Sequence, residues 1–303
     1  MKHTRQAGDL WSAVQHATRR ALASGALQPI ESEQKVIKDG GVRFLIHRMT
    51  RAARVQYERR RRAADAAPGD PFMPYDPDLF VADVSSAHIA LLNKFNLIPH
   101  HLLIVTRRFA PQETLLDTAD IAALGACLSE IDGLVFYNSD SAAGASQAHK
   151  HLQMVPLPLG LEGVATPIDE VLEGVRDRSG IFAVPGLTFR HAFTWIAPSA
   201  FERPFDAAAI APLYEEVLAR IGVTATERDG ERYPSAPWNL LVTRRWMLAA
   251  LRVRGDFRGV FINAIGFAGS LFVRDDAQLA TIKRAGPMAA LRAVSTGDGA
   301  ASS

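Results

Sequence analysis

Two histidines and a glutamine alternate along one short segment of the chain, at His149, His151 and Gln153. On a β-strand, successive side chains point to opposite faces, so these three would share one face at intervals of about 6.6 to 6.8 Å. The residues from Gly144 to Gln147, just before them, are small or polar, and such residues let backbone N–H groups approach an anion closely. An imidazole row beside an anion-binding loop suits a nucleophile that attacks phosphorus.

Three interpretations of this row compete. Two histidines on a strand can be buried and hydrogen-bonded without any chemical role. They can also bind a metal ion, but their face adds only Gln153, a poor zinc ligand, and the sequence supplies no nearby cysteine or carboxylate there. The third interpretation is covalent catalysis by an imidazole on phosphorus. The small-residue loop favours this third interpretation, and the sequence names no metal ligand.

The elements around the row decide how its side chains are presented. We predict a strand at residues 134–138, a loop at 139–148 and a second strand at 149–156. Helices are predicted at residues 9–24, 117–131, 207–221 and 276–284, and further strands at 42–46, 88–93, 102–106, 238–243 and 246–251. Adjacent strands with interspersed helices predict an α+β fold with an antiparallel sheet.

Composition narrows the classes of partner. Hydrophobic residues make up 48% of the 303, enough for a substantial core, which excludes disordered and fibrous classes. The 34 basic and 32 acidic residues nearly cancel, so the charge predicts neither nucleic acid nor a membrane as a partner. The single cysteine, Cys127, cannot form an internal disulfide, and no apolar run approaches the ~20 residues that span a bilayer. We expect a cytoplasmic protein with small anionic ligands, while the oligomeric state stays open.

Two polar segments need separate interpretation. The run from Arg59 to Arg62 has no interleaved aromatic residues to stack on bases, so a solvated helix face or loop is favoured over an RNA-binding patch. The chain from Ser295 onward offers nothing to bury, and residues 296–303 are predicted to form a flexible tail.

The segment from Phe136 to Gln153 resembles the His-x-His-x-Gln signature of the ATP adenylyltransferase family. These are the diadenosine tetraphosphate (Ap4A) phosphorylases, a transferase branch of the histidine triad (HIT) superfamily. Further segments resemble the family in the same order, at residues 71–72, 76–79, 92–96, 101–107, 238–244 and 263–269. The resemblance covers nearly the whole chain, from about Pro29 to Ala293.

This resemblance implies an architecture. Its core is a HIT-like antiparallel sheet, a half-barrel with flanking helices, elaborated by a C-terminal segment. We expect residues 1–165 to form the catalytic N-terminal part and residues 190–295 the ATP adenylyltransferase C-terminal part, packed together as one unit.

The resemblance also implies roles for the row. His151 resembles the nucleophile that attacks the α-phosphorus and holds AMP, His149 the histidine that orients it, and Gln153 the donor to the α-phosphate oxygens. The other residues expected to bind substrate are Asn93, Lys94, His101, Asn138, Gly144, Ala145, Ser146, Gln147, Asn263, Ala264, Ile265, Ser270, Arg274 and Arg54.

Within that set the resemblance separates three contacts. Asn93 stands eight residues before His101, where small triad proteins hold the ribose with an acidic residue, so we expect a ribose contact there. Lys94 and Arg54 are expected to contact phosphate. A divalent cation, Mg²⁺ or a similar ion, is implied together with the substrate phosphates. The chain departs from the family at Asp70, where asparagine is expected before Pro71-Phe72.

Gln153 also bears on the type of reaction. A hydrolase that expels a poor leaving group profits from an acid at the third position of the row, where a histidine with a pKa near ~6.5 can serve and an amide cannot. Glutamine therefore favours transfer between good leaving groups, here the conversion of Ap4A and phosphate to ATP and ADP through an AMP adduct on His151. One alternative is another nucleotidyl transfer at the same site, such as the ADP-forming transfer that uses adenylyl sulfate as donor. The other alternative is a non-catalytic nucleotide-binding protein.

Overall fold

The computed structural model describes residues 9–65 and 69–296. Its α-helices are α1 (Leu10–Ser24), α2 (Arg51–Asp65), α3 (Thr118–Glu130), α4 (Asp169–Leu172), α5 (Ala211–Ile221), α6 (Asp276–Ala285) and α7 (Pro287–Thr296). Its strands are β1 (Ser32–Asp39), β2 (Val42–Met49), β3 (Phe80–Asp83), β4 (His88–Leu92), β5 (Leu102–Thr106), β6 (Gly133–Asn138), β7 (His151–Pro156), β8 (His191–Trp195), β9 (Ala225–Arg228), β10 (Glu231–Pro234), β11 (Trp238–Val242), β12 (Trp246–Leu251), β13 (Asp256–Phe257), β14 (Val260–Phe261) and β15 (Ser270–Val273).

One large sheet organises the protein. Its eight strands run in the order β3-β4-β5-β7-β6-β11-β12-β8, and every neighbouring pair is antiparallel. The strand with the histidine row, β7, lies between β5 and β6, well inside the sheet. The pairing of β6 with β11 carries the sheet from the N-terminal half of the chain into the C-terminal half. The predicted α+β fold with a large antiparallel sheet is confirmed.

The two faces of this sheet are buried differently because side chains alternate along each strand. On β7, Leu152 and Met154 join a core that includes side chains of α1, α3 and α5. Val155 instead joins a second core, which includes side chains of β2, β15, α6 and α7. In a smaller sheet, β2 pairs antiparallel with β1 and parallel with β15, so that a late strand lies beside an early one. The histidine row opens on the side of the second core.

A buried ionic network fixes β7 to α3. Lys150 Nζ donates to Asp120 Oδ2 and to the Leu115 carbonyl oxygen, at 2.9 Å each, and His88 Nε2 lies 2.8 Å from Asp120 Oδ1. Burial works to raise the pKa of Asp120, but the hydrogen bond from His88 and the attraction of Lys150 outweigh it and hold that pKa below its ordinary value. Asp120 also completes the capping box of α3 with Asp117. The strand is therefore tied down from the face opposite the histidine row.

Most predicted elements are confirmed, with three corrections. The second strand of the row begins at His151 and not at residue 149, because His149 forms only an isolated bridge with Pro111. The prediction that the chain frays from Ser295 is wrong, since Ser295 is fully buried in α7 and its Oγ accepts from the Arg190 N–H at 3.0 Å. Residues 158–198, for which no helix or strand is predicted, contain β8, the edge strand of the large sheet.

Two predictions fall partly or wholly outside the described residues. Arg59 to Arg62 lie within α2, and their side chains are outside the description. The predicted tail is outside it apart from Thr296, the last residue of α7. Across residues 9–65 and 69–296, no helix combines the length and the apolar character needed to cross a bilayer.

The ionic network predicts an unequal pair of stability effects. Asp120→Leu leaves the buried ammonium of Lys150 without its carboxylate, and we expect it to lower the free energy of unfolding by about 3 to 5 kcal/mol. The double variant Asp120→Leu, Lys150→Met removes both charges and should be more stable than the single one, although both lose the capping box. Urea unfolding of the three proteins measures the difference. A double variant no more stable than Asp120→Leu would contradict this account.

Candidate active site

His151 is held so that one ring nitrogen stays available. Its Nδ1 lies 2.9 Å from the carbonyl oxygen of His149, and because a carbonyl can only accept, Nδ1 carries the proton. The lone pair is therefore on Nε2. The residue is only 4% exposed, and burial is the main cause that lowers the pKa of His151 to about 4, against the opposing effect of the backbone hydrogen bond. At neutral pH the imidazole is uncharged and can act as a nucleophile.

His149, in contrast, is engaged at both ring nitrogens. Its Nδ1 lies 2.6 Å from Asp70 Oδ2, and its Nε2 lies 2.8 Å from the Thr106 carbonyl oxygen and 2.9 Å from Thr106 Oγ1. Both Asp70 and the carbonyl are hydrogen-bond acceptors, so the ring is fixed as a donor. Phe72 packs against both histidines, with ring centroids 5.9 Å from His149 and 5.0 Å from His151. Both ring nitrogens of His149 thus have hydrogen-bond partners, whereas Nε2 of His151 has none among the described residues.

A second hydrogen-bonded chain orients Gln153. Asn93 Nδ2 lies 3.3 Å from His101 Nδ1, and His101 Nε2 lies 3.0 Å from Gln153 Oε1. Burial is the main cause that lowers the pKa of His101 to about 4, so its ring is neutral, with Nδ1 accepting and Nε2–H donating. The amide oxygen of Gln153 is therefore turned to His101, and its two N–H groups are turned away from that ring.

Gln112 interrupts the β6–β7 ladder at the level of His151. Its Oε1 accepts from the His151 N–H at 2.8 Å, and its Nε2 donates to the Asn138 carbonyl oxygen at 2.7 Å. One amide side chain thus takes the place of direct backbone pairing between the two strands beside His151. The β6–β7 ladder therefore ends at the pair Phe136 and Gln153.

The loop after β6 uses some of its amides internally. The N–H of Gly144 donates to the Ser141 carbonyl oxygen at 3.1 Å, and that of Ala145 to the Asp140 carbonyl oxygen at 2.7 Å. The expectation that the Gly144 and Ala145 amides face an anion is therefore corrected, because the turn consumes both. Within the described part of the chain, the backbone N–H groups of Ser146 and Gln147, which follow, make no hydrogen bond.

Gly144 is where the two halves of the chain meet. Its φ is +96°, and a Cβ added there would lie 2.8 Å from the Cα of Asn263, so neither the backbone nor the space admits a side chain. Next to it, the Ala264 N–H donates to Asn138 Oδ1 at 2.8 Å. The structure therefore brings four of the predicted residues into one cluster, although more than a hundred positions of the chain separate Asn138 and Gly144 from Asn263 and Ala264.

Two other predicted residues, Lys94 and Arg54, lie outside this cluster. Lys94 is exposed, with Nζ 5.7 Å from the centre of the Phe95 ring. Arg54 is half-buried in α2, and its Nη1 lies 3.4 Å from Asp275 Oδ2, before α6. None of the described contacts joins Lys94 or Arg54 to the histidine row.

Three predicted residues come from the C-terminal segment beyond Ala264. Ile265 is a buried core residue, Ser270 is buried with no hydrogen-bond partner for Oγ within the described chain, and Arg274 is exposed. No described hydrogen bond joins Ile265, Ser270 or Arg274 to the histidine row.

Sequence reasoning missed the supporting residues. Asp70 was noticed only as a departure from the family, and Thr106, Gln112 and Asn239 were given no role. Alternation along a strand shows that side chains share a face, but it carries no information on which distant side chain meets them. Within residues 9–65 and 69–296, no group of three or more His, Cys, Asp or Glu side chains is arranged to hold a metal ion.

Two yeast proteins are similar to this chain over most of their length. The Saccharomyces cerevisiae protein named APA1 is 27% identical over 292 residues, covering 88% of each chain. Diadenosine 5',5'''-P1,P4-tetraphosphate phosphorylase 2 from the same organism is 27% identical over 240 residues, covering 71% of this chain and 72% of its own. The crystal structure of yeast Ap4A phosphorylase Apa2 is 21% identical, with a TM-score of 0.78 and coverage of 95% and 97%. At that identity the likeness to Apa2 shows a shared fold.

Family comparison covers both halves of the chain. Residues 1–174 match the Ap4A phosphorylase N-terminal domain, and residues 185–297 match the ATP adenylyltransferase C-terminal domain. The first match alone covers more than half of the 303 residues. The resemblance found in the sequence is thereby confirmed, and the chain belongs to the Ap4A phosphorylase family, with an ATP adenylyltransferase C-terminal domain following the N-terminal one.

Proposed function

We propose that this protein is an Ap4A phosphorylase, which converts Ap4A and phosphate to ATP and ADP. The observation that carries the proposal is the state of His151, a buried neutral imidazole whose Nδ1–H is held by the His149 carbonyl while Nε2 keeps its lone pair. Family membership and the similar yeast Ap4A phosphorylases support the choice of substrate. Nucleotides are accordingly the small-molecule partners that we propose.

The reaction has two displacement steps on one phosphorus atom. In the first, the lone pair of His151 Nε2 attacks the α-phosphorus, a P–N bond forms, and the bond from that phosphorus to the bridging oxygen breaks with ATP as the leaving group. In the second, an oxygen of inorganic phosphate attacks the same phosphorus, the P–N bond breaks, and ADP leaves. The His149 carbonyl holds the Nδ1 proton throughout and stabilises the positive charge that the ring gains in the adduct.

Gln153 stabilises charge and moves no proton. Because the His101 N–H occupies its amide oxygen, the N–H groups of Gln153 are available to the phosphoryl oxygens. ATP leaves as a stable anion and needs no acid, so an amide at this position costs little in the transfer. Water, with no base at this position to activate it, competes poorly with phosphate.

The remaining conditions concern the ion and the compartment. The described residues offer no cage for a metal ion, so we propose that Mg²⁺ enters on the polyphosphate and lowers its charge. The single cysteine is buried in α3, which favours a reducing compartment, and we propose the cytoplasm.

A covalent adduct is the direct test of the proposed function. Mixed with Ap4A in the absence of phosphate, the protein should gain the mass of one adenylyl group, and ATP should appear in equal amount. His151→Ala removes the nucleophile and should abolish both. His149→Gln is the matched control: it disturbs the orienting ring and keeps Nε2 of His151, so the adduct should form more slowly. Intact-mass spectrometry measures each protein. Turnover that survives His151→Ala would contradict the mechanism.

The pKa of His151 predicts an unusual pH profile. The attacking form is the neutral imidazole, and with a pKa of about 4 it is fully populated from about pH 5.5 to 8. The single-turnover rate of adduct formation should therefore be flat across that range. The internal phosphates of Ap4A keep the same charge there, so they add no slope. An ordinary histidine would instead lose activity below about pH 6.5. A fall that already begins there would contradict the buried, neutral nucleophile.

Gln153→His supplies the acid and base that the site lacks. In this variant, water can be activated against the adduct, so the share of AMP among the products should rise at least several-fold relative to ADP. Gln153→Asn, which keeps an amide but shortens it, is the control and should slow both reactions without changing their ratio. Chromatography of the products at fixed phosphate concentration gives the ratio. An unchanged ratio in Gln153→His would show that the amide does not select transfer over hydrolysis.

A further inference from the structure

A buried arginine lies behind the cluster formed by Asn138 and Gly144. Arg252 is 1% exposed, and its Nη atoms donate to the oxygens of Ala143 (3.0 Å), Asn239 (Oδ1, 2.6 Å), Arg254 (2.8 Å) and Ile262 (2.8 Å). All four acceptors are neutral oxygens. Burial is the main cause that lowers the pKa of Arg252 to about 9, so the guanidinium is still charged at neutral pH. A charged group in this position needs a reason beyond simple packing.

The arginine fixes the orientation of one amide. A guanidinium has only donors, so the atom of Asn239 that lies 2.6 Å from Arg252 must be its oxygen. The Nδ2 of Asn239 then faces the other way and donates to Asn138 Oδ1 at 2.9 Å and to the Ala143 carbonyl oxygen at 2.8 Å. The amide of Asn239 cannot turn over without placing an N–H against the guanidinium.

That orientation is passed on to Asn138. Its Oδ1 receives the Asn239 N–H and also the backbone N–H of Ala264, so two donors hold it as an acceptor. The Nδ2 of Asn138 is then left as a buried donor with no partner in the described part of the chain, although the residue is only 1% exposed. Buried donors are almost always satisfied, so one held open requires an explanation.

The open donor shares a face with the nucleophile. Asn138 lies two residues after Phe136 on β6, and the register Phe136 to Gln153 continues to a position opposite His151. Gln112 bridges the Asn138 carbonyl oxygen and the His151 N–H at the same level. An anionic oxygen on a phosphorus atom beside His151 Nε2 is the acceptor that this donor lacks.

We propose that Arg252 and Asn239 are positioning residues, which hold the amide of Asn138 so that its N–H donates to the phosphoryl group transferred to His151. This rests on the proposed function. A substrate contact by Asn138 is implied by the family resemblance, and the new step is the control of its polarity by two residues that touch no substrate. The buried cation also attracts the phosphoryl group through a medium of low dielectric constant.

Asn239→Asp is the sharpest variant. The introduced carboxylate can pair with Arg252, which should keep the fold, but the oxygen that replaces Nδ2 loses the hydrogen bond to the Ala143 carbonyl oxygen, so the melting temperature should fall. This carboxylate offers only oxygens to Asn138, whose amide must turn and present its own oxygen to the phosphoryl group. Loss of one donor to a developing negative charge typically costs about 100-fold or more. We therefore expect the single-turnover rate of adduct formation to fall by about 100-fold in protein that still unfolds cooperatively.

We call the chain of contacts from Arg252 through Asn239 to Asn138 the relay. A double-mutant cycle distinguishes loss of the relay from a general disturbance of the site. Asn138→Ala removes the donor, and in that background Asn239→Asp should change the adduct rate by less than about 5-fold. A 100-fold effect that persists in the Asn138→Ala background would overturn the proposal. If Asn239→Asp fails to fold, Arg252→Lys and Arg252→Gln replace it. The lysine ammonium can only donate, so Arg252→Lys should keep most of the adduct rate. The glutamine amide can donate or accept, so Arg252→Gln frees the Asn239 amide to turn and should lose most of that rate. Equal rates in these two variants would also overturn the proposal.

A measurement of AMP binding distinguishes failure of the relay from failure of the proposed function. If the wild-type protein forms no adduct with Ap4A, the proposed phosphorylase activity is wrong, and the relay is then measured by calorimetry with AMP. The relay predicts that Asn239→Asp weakens AMP binding at least 10-fold, and that this effect disappears in the Asn138→Ala background. AMP affinity unchanged by Asn239→Asp would overturn the relay on its own.

Discussion

The hydrogen bond from His151 Nδ1 to the His149 carbonyl oxygen is the constraint on which the site depends. It decides the tautomer, and so it decides that Nε2 carries the lone pair. The bond joins residues two apart on the same segment, so it survives only while that segment keeps one backbone conformation. Lys150, between the two histidines, supplies that rigidity, because its buried ammonium is anchored to Asp120 on the opposite face of the sheet. The ion pair on one face of the sheet thereby stabilises the hydrogen bond of His151 on the other face.

The groups that contact two amide side chains of the site fix which end of each amide faces them. The neutral His101 ring turns the oxygen of Gln153 away from the substrate, and the guanidinium of Arg252 turns the oxygen of Asn239 in the same sense. Amide groups are ambiguous by themselves, since a half-turn exchanges donor and acceptor. A site that must present N–H groups to an anion therefore needs partners of fixed polarity. The guanidinium of Arg252 is one, and the chain to Gln153 begins at another, the Phe95 N–H, which donates to Asn93 Oδ1 at 3.3 Å. Preorganised donors of this kind lower a barrier without moving during the reaction.

Local sequence pattern predicted what depends on local structure. Alternation placed His151 and Gln153 on one face, and the helix predicted to begin at residue 117 is α3, whose N-cap is Asp117. The helix α7 was missed because Gly286 and Pro287 indicate a break, whereas proline is also well suited to the first turn of a helix. Among the strands, β1 was missed because its side chains are mostly exposed and carry little hydrophobic pattern.

The long-range contacts that orient the side chains of the site could not be predicted from local sequence pattern. Asp70 reaches His149 across 79 positions of the chain, and Asn239 reaches Asn138 across 101.

The electrostatics of the site could not be predicted from the composition either. The chain carries a formal net charge of only +2, which suggests no anionic partner, yet charge acts at the site through distance and burial and not through the total. A guanidinium buried among neutral oxygens, as Arg252 is, interacts with a nearby anion more strongly than a surface lysine that water screens. A near-neutral composition is therefore compatible with a polyphosphate substrate, provided that the few charges near the phosphorus are buried.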